Sequence, residues 1–260
     1  MAVDREKYGD ELYAALRERR TVAPLTEREP GITIEDGYHI SRRLLERRVA
    51  DGETVIGKKI GVTSKAVQRM LDVHQPDFGW LTDRMRYPNA GEMPIGSLLI
   101  QPRAEGEIAF LLKKDLVGPG VTVADVLAAT ECVMPCFEVV DSRIRDWKIR
   151  IQDTVSDNAS SGLFVVGDDR VDPNTIDLTT CGMVVEKNGE IISTGAGAAA
   201  LGSPAICVAW LANTLGGFGI PLQAGEVILS GSLVPLEPVK PGDRMSLKIG
   251  GIGTASVVFT

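Results

Sequence analysis

Residues 102–110, PRAEGEIAF, place two glutamates two positions apart in a stretch with the alternation of a strand. Ile108, Phe110 and Leu112 recur at every second residue and share one face, so Glu105 and Glu107 share the other. A solvated sheet face would explain an isolated Glu-x-Glu. Here the acidic face continues into Ala109 and Leu111, which are not solvent-type residues. Neighbouring carboxylates on a face turned away from water repel unless something positive joins them.

Working outward, the flanking segments repeat the same β character. TVIGKKIGV (54–62) precedes a Pro- and Gly-containing loop that leads back to the acidic strand. Thr122 and Asp125 form a capping-box pair that predicts a helix over 123–131, followed by a strand in CFEVVDSRI. MVVEKNGEIIS predicts a hairpin, because Asn188-Gly189 suits a tight turn between two β-rich runs. Ser203-Pro204 opens a helix through Leu215, and EVILSGS, RMSLKIGG and TASVVFT complete a β-rich half. The first fifty residues are helical in pattern. Tyr8, Leu12, Ala15 and Leu16 keep helical spacing, and Thr33 with Asp36 caps a second helix that Gly52 ends. No repeat or interdomain linker is visible. The expectation is one α+β domain over 1–260, with a mainly helical portion at 1–53 and a β-rich catalytic core at 54–260.

Composition excludes several classes of partner. A net charge of −7 argues against nucleic acid and anionic membranes, and the arginines at 42, 43, 47 and 48 look like a solvated helix face. With four cysteines in no Cys-x-x-Cys pair and two histidines in all, a structural zinc site is not expected. Cys132 and Cys136 fit small buried core groups. A charged N-terminus and no long uncharged apolar run that spans a membrane predict a cytoplasmic protein with no membrane contact.

Six residues stand out for chemistry. Glu138, in the strand-like CFEVV, could join Glu105 and Glu107 as a third carboxylate, an all-oxygen set that suits Mg²⁺ or Mn²⁺. Lys59 shares its face with Gly57 and Gly61, leaving room for a ligand to approach, or else belongs to a lysine pair on an edge strand. Asp77, in a HQPDFGW loop, is a turn former or an acid/base against an aromatic wall. Ser160 lies in DNASSG, a ligand-binding segment or a plain polar turn. GAGAAALG (195–202) imitates a dinucleotide loop but follows a hairpin strand rather than opening a β-α-β unit. His39 fits an ordinary helix-surface histidine, and Arg143 and Arg145 pair with carboxylates or hold an anion.

GKKIGVTSKAVQ, HQPDFG, QPRAEGEIAF, CFEVVDSRIRDW, DTVSDNASSG and EVILSGSLVPLEPVKPGD, in this order, resemble the hydratase/decarboxylase branch of the fumarylacetoacetate hydrolase superfamily over essentially the whole chain. The resemblance implies a mixed β-roll with Mg²⁺ or Mn²⁺ on Glu105, Glu107 and Glu138, and roles for Lys59, Asp77 and Ser160 around a small 2-oxo or 2-hydroxy dienoate. It implies hydration of 2-hydroxypenta-2,4-dienoate in the meta-cleavage route of aromatic catabolism. The alternatives are 4-oxalocrotonate decarboxylation and, more distantly, acylpyruvate hydrolysis or a non-catalytic scaffold role. It also implies a homo-oligomer, pentameric or decameric, able to associate with 4-oxalocrotonate decarboxylase.

Overall fold

The computed structural model describes residues 3–70 and 72–260. Its larger sheet runs, in order, Asp77–Thr82, Val55–Gly61, Val227–Leu229, Arg103–Leu112, Thr130–Val140, Ser161–Val166 and Arg86–Tyr87, with Glu237–Pro238 also pairing to Arg103–Leu112. The PRAEGEIAF strand is therefore central. Ile108, Phe110 and Leu112 enter the main core, whereas Ala109 and Leu111 face a second apolar cluster with Leu81, Cys136, Phe164 and Leu229. The sheet curls, so both of its faces are covered, and the acidic pair points into the concave interior.

The second sheet is ordered Glu92–Met93, Gly253–Phe259, Arg244–Ile249, Gly182–Lys187 and Glu190–Ala196. Its last two strands are the expected hairpin, with Asn188 and Gly189 both at positive φ. The sheets press together at Gly106, where a Cβ would lie 2.5 Å from Met183 Sδ. The glycine of Glu-Gly-Glu thus serves the sheet-to-sheet contact, and its two neighbours serve the opposite face.

Helices Arg5–Glu18 and Ile34–Ala50 pack through Tyr8, Leu12, Ala15, Ile40 and Leu44, and the Thr33–Asp36 capping box is present. The second helix also packs on Ile151–Ser156, which leads into the DNASSG segment. The arginine run is not uniformly solvated. Arg48 is buried against Glu53 at 2.8 Å and Thr82 at 2.9 Å, tying the helices to the sheet. The helix expected over 123–131 stops at Ala129, and the following strand already begins at Thr130. HQPDFGW is not all loop, since Asp77 starts a strand. One apolar segment, Gly197–Gly216, reaches the 20 residues of a membrane span by length and composition alone. Its helical part, Pro204–Gly216, lays Val208, Leu211, Ala212 and Leu215 in the main core. Cys132 and Cys136 are buried, and His39 is exposed, as their patterns predict.

Candidate metal and catalytic site

Antiparallel pairing sets Glu105 directly opposite Glu138 and Glu107 opposite Cys136. Alternation then brings all three carboxylates to one face, with one oxygen of each within 4.8 Å of the others. Glu107 and Glu138 are wholly buried and Glu105 is partly so. The two wholly buried glutamates are each held by one uncharged donor. Gly231 N–H reaches Glu107 Oε2 at 2.7 Å and Ser161 Oγ reaches Glu138 Oε1 at 3.1 Å, while the Ser232 hydroxyl near Glu105 donates to the Val234 carbonyl.

Burial, then mutual repulsion, dominates the electrostatics. Glu105 is pushed up to about 8, by desolvation first and the charge of Glu138 second. Glu107 is driven well above the usual carboxylate range by desolvation and both neighbouring charges. Glu138 is also raised by desolvation, against the pull of Lys59 and Ser161. Glu107 Oε1 and Glu138 Oε2 are buried without a hydrogen-bond partner. Two orphaned carboxyl oxygens facing a third carboxyl group are a donor set that a hard divalent cation fits.

Lys59 does not lie on an edge strand, because its strand sits between Asp77–Thr82 and Val227–Leu229. Its register with Leu229, and that of Leu229 with Ala109, puts it on the carboxylate face. Nζ stands 3.5 Å from Glu138 Oε1. Burial opposes its charge, but Glu138, Asp77, Glu105 and Glu107 outweigh that and hold its pKa above the ordinary lysine value. Lys58 faces the other way, in a buried ion pair with Glu226 at 2.5 Å.

Asp77 pairs with Gly61 across the strands and is buried, with Oδ1 unpartnered. Desolvation pushes its carboxyl up, with Lys59 and the Gly61 N–H opposing. The glycines beside Lys59 make room for the protein rather than for a ligand. A Cβ on Gly61 would lie 2.4 Å from Asp77 Oδ1 and 3.1 Å from Lys59 Nζ, and one on Gly57 would strike the Val227 carbonyl. The aromatic neighbours of Asp77 also differ from expectation. Phe78 turns to the main core, stacked on Tyr38 at 4.2 Å between centroids.

The DNASSG segment forms a tight turn in which Asn158, Ala159 and Ser160 all have positive φ. Arg143 holds it from below, bonding Asp157 Oδ1 at 2.5 Å and the carbonyls of Asp141, Asp157 and Ser161. Arg143 is thereby committed to the protein, and Arg145 is exposed. The structure brings Glu105, Glu107, Glu138, Lys59 and Asp77 together. The hydroxyl of Ser160 instead meets Thr154 Oγ1 at 3.1 Å. Sequence reasoning did not single out Ser161, Gly231 or Ser232, although they lie in the polar DNASSG and EVILSGS segments it had noted. GAGAAALG forms the end of the hairpin and a short turn, with no β-α-β unit around it.

A curled β-roll with three converging carboxylates defines a class of acidic-centre enzymes, and the chain belongs to the fumarylacetoacetate hydrolase family. The family described as "Fumarylacetoacetate (FAA) hydrolase C-terminal" matches residues 62–259. A 2-hydroxypent-2,4-dienoate hydratase of Pseudomonas putida is 74% identical over 82% of this chain and 96% of its own length. A 2-hydroxyhexa-2,4-dienoate hydratase of Comamonas testosteroni is 62% identical over 98% and 97%. The structure of 4-oxalocrotonate decarboxylase from Pseudomonas putida G7, complexed with magnesium and adipate, superposes with a TM-score of 0.95. It is 36% identical, over 98% of this chain and 97% of the other.

Proposed function

We propose that this chain is a hydro-lyase that hydrates 2-hydroxypenta-2,4-dienoate to 4-hydroxy-2-oxopentanoate in the meta-cleavage route. The observation that carries the reading is a buried acidic centre with two unpaired oxygens, in a chain 74% and 62% identical to two dienoate hydratases. Glu105, Glu107 and Glu138 would hold Mg²⁺ or Mn²⁺. When bound, the cation supplies Lewis-acid polarisation of a 2-oxo group and charge to match a carboxylate.

The chain's own groups supply the proton chemistry. Lys59 keeps a positive charge beside the cluster and serves the substrate carboxylate or oxo group. Asp77, raised by burial, holds a proton to deliver to C5 while the enol oxygen gives up its own, giving the 2-oxo-3-enoate. The resulting carboxylate of Asp77 then takes a proton from water as its oxygen adds at C4, and C3 takes up, through solvent, a proton equivalent to the one the enol oxygen released, so that the net change is addition of one water. Ser160, in the DNASSG turn, is assigned to substrate or water positioning.

We assign the chain to a single domain, 1–260, working as a pentamer or decamer in the cytoplasm. The helical portion shares a buried ion-pair network with the sheet, and four unpaired cysteines suit a reducing compartment. Exposed Ile191 and Ile192 on the outer hairpin offer apolar contact surface for subunits or for 4-oxalocrotonate decarboxylase. The decarboxylase activity itself is the second reading, favoured by the shared fold at 36% identity. The test is decay of dienol absorbance with freshly generated substrate. Decay that EDTA stops and Mn²⁺ restores supports the proposal, and a substrate that persists with Mn²⁺ present rejects it.

A further inference from the structure

We propose that Ser161 is the positioning residue that fixes Glu138 as a cation ligand; this rests on the metal reading above. Both wholly buried glutamates share one arrangement. One oxygen is tied to a protein donor and the other is left without a partner: Oε2 tied and Oε1 free in Glu107, Oε1 tied and Oε2 free in Glu138. For Glu107 the donor is backbone, Gly231 N–H. For Glu138 it is a side chain, Ser161 Oγ at 3.1 Å. Lys59 Nζ, at 3.5 Å from the same oxygen, supplies charge at a distance too long to set a rotamer. Without the serine hydroxyl the carboxylate is free to turn either oxygen to the lysine.

The backbone around Ser161 is built to aim it. Three successive non-glycine residues, Asn158, Ala159 and Ser160, adopt the left-handed region that side chains disfavour. Such a run persists only where its surroundings hold it. Arg143 binds the carbonyls on both sides of the turn, and Asn158 exchanges hydrogen bonds with Trp80 N at 2.8 Å and Trp80 O at 3.0 Å. The turn ends at Ser161, whose hydroxyl faces the cluster, while that of Ser160 faces Thr154.

The test is Mn²⁺ titration of chelator-stripped full-length protein, with free Mn²⁺ followed by electron paramagnetic resonance, beside thermal melting in EDTA. Ser161→Ala should weaken Mn²⁺ binding about 10–100-fold, the usual cost of losing a group that orients a metal ligand. Ser161→Thr, which keeps the hydroxyl, and Ser160→Ala should stay within about threefold of the parent. The proposal is overturned if Ser161→Ala binds as tightly as the parent, or if Ser160→Ala loses as much. It is also overturned if Ser161→Thr melts like the parent yet binds as weakly as Ser161→Ala. Failure of the parent itself to bind Mn²⁺ would instead remove the metal reading, a separate and recognisable result.

Discussion

Replacing Glu107 by Gln should move stability and metal affinity in opposite directions. The side chain is wholly buried, its shape is conserved by the amide, and its Oε2 role toward Gly231 can be kept by the amide oxygen. What changes is charge. Even at 4.8 Å, the outer limit of their separation, two ionised carboxylates repel by about 3 kcal/mol at an effective dielectric of 20. The metal-free cluster evades part of this by keeping protons, so the relief on losing one anion is about 1–3 kcal/mol at pH 8–9. For a chain of this length that is a rise in melting temperature of about 2–4 °C per kcal/mol. The amide nitrogen would meanwhile face the cluster, where it repels a cation. Mn²⁺ affinity should fall more than about 100-fold, beyond the loss of a merely orienting group. Calorimetric titration with Mn²⁺ and melting in EDTA read the two effects. A variant that melts lower in EDTA, or binds Mn²⁺ within threefold of the parent, would refute the reasoning.

Three further expectations concern the same centre. Because Glu105 is held near 8 and Glu107 is also raised well above the carboxylate range, a cation must displace at least one proton below that pH, so Mn²⁺ affinity should climb by at least about tenfold per pH unit from 6 to 8. The metal-free protein follows the opposite sense. A carboxyl raised from 4.5 to about 8 contributes fully below pH 4.5 and loses its contribution as pH rises through 8. Melting temperature in EDTA should therefore fall over that range while the Mn²⁺-induced increase grows; a pH-independent affinity would contradict this. Gly61→Ala should reduce turnover about 100-fold, since its Cβ displaces Asp77 and Lys59, yet leave Mn²⁺ affinity within a few-fold. Arg143→Met strands buried Asp157 and should cost about 3–5 kcal/mol in urea unfolding, part of which Asp157→Asn recovers.

The acidic pair was legible because a strand's period of two fixes which residues share a face, whatever the strand pairs with. The capping boxes at Thr33 and Thr122 and the Asn188-Gly189 turn were legible for the same reason, being local. The proximity of Glu138 was suggested by residue type, but its placement opposite Glu105 belongs to cross-strand register. Asp77 lies in a segment broken by Pro and Gly, and its strand is stabilised by a partner, Val55–Gly61, that local pattern does not reveal. Arg48 falls one turn beyond Leu44 on the buried helix face, but its charge reads as solvated; its partners Glu53, beyond the helix end, and Thr82, on the sheet, are what allow its burial. Which serine of Ser160-Ser161 faces the cluster depends on consecutive left-handed residues, and Ala159 and Ser160 give no signal of that conformation.

The central claim is that this acidic centre hydrates a dienol rather than removing a carboxylate. The most direct measurement is proton NMR of product formation with Mn²⁺-loaded protein, offered freshly generated 2-hydroxypenta-2,4-dienoate and, separately, 2-oxohex-3-enedioate. The account predicts that the first is consumed to 4-hydroxy-2-oxopentanoate, with its new CH₃–CH(OH) signals, and that the second keeps both carboxylates. Persistence of the first with decarboxylation of the second would contradict it.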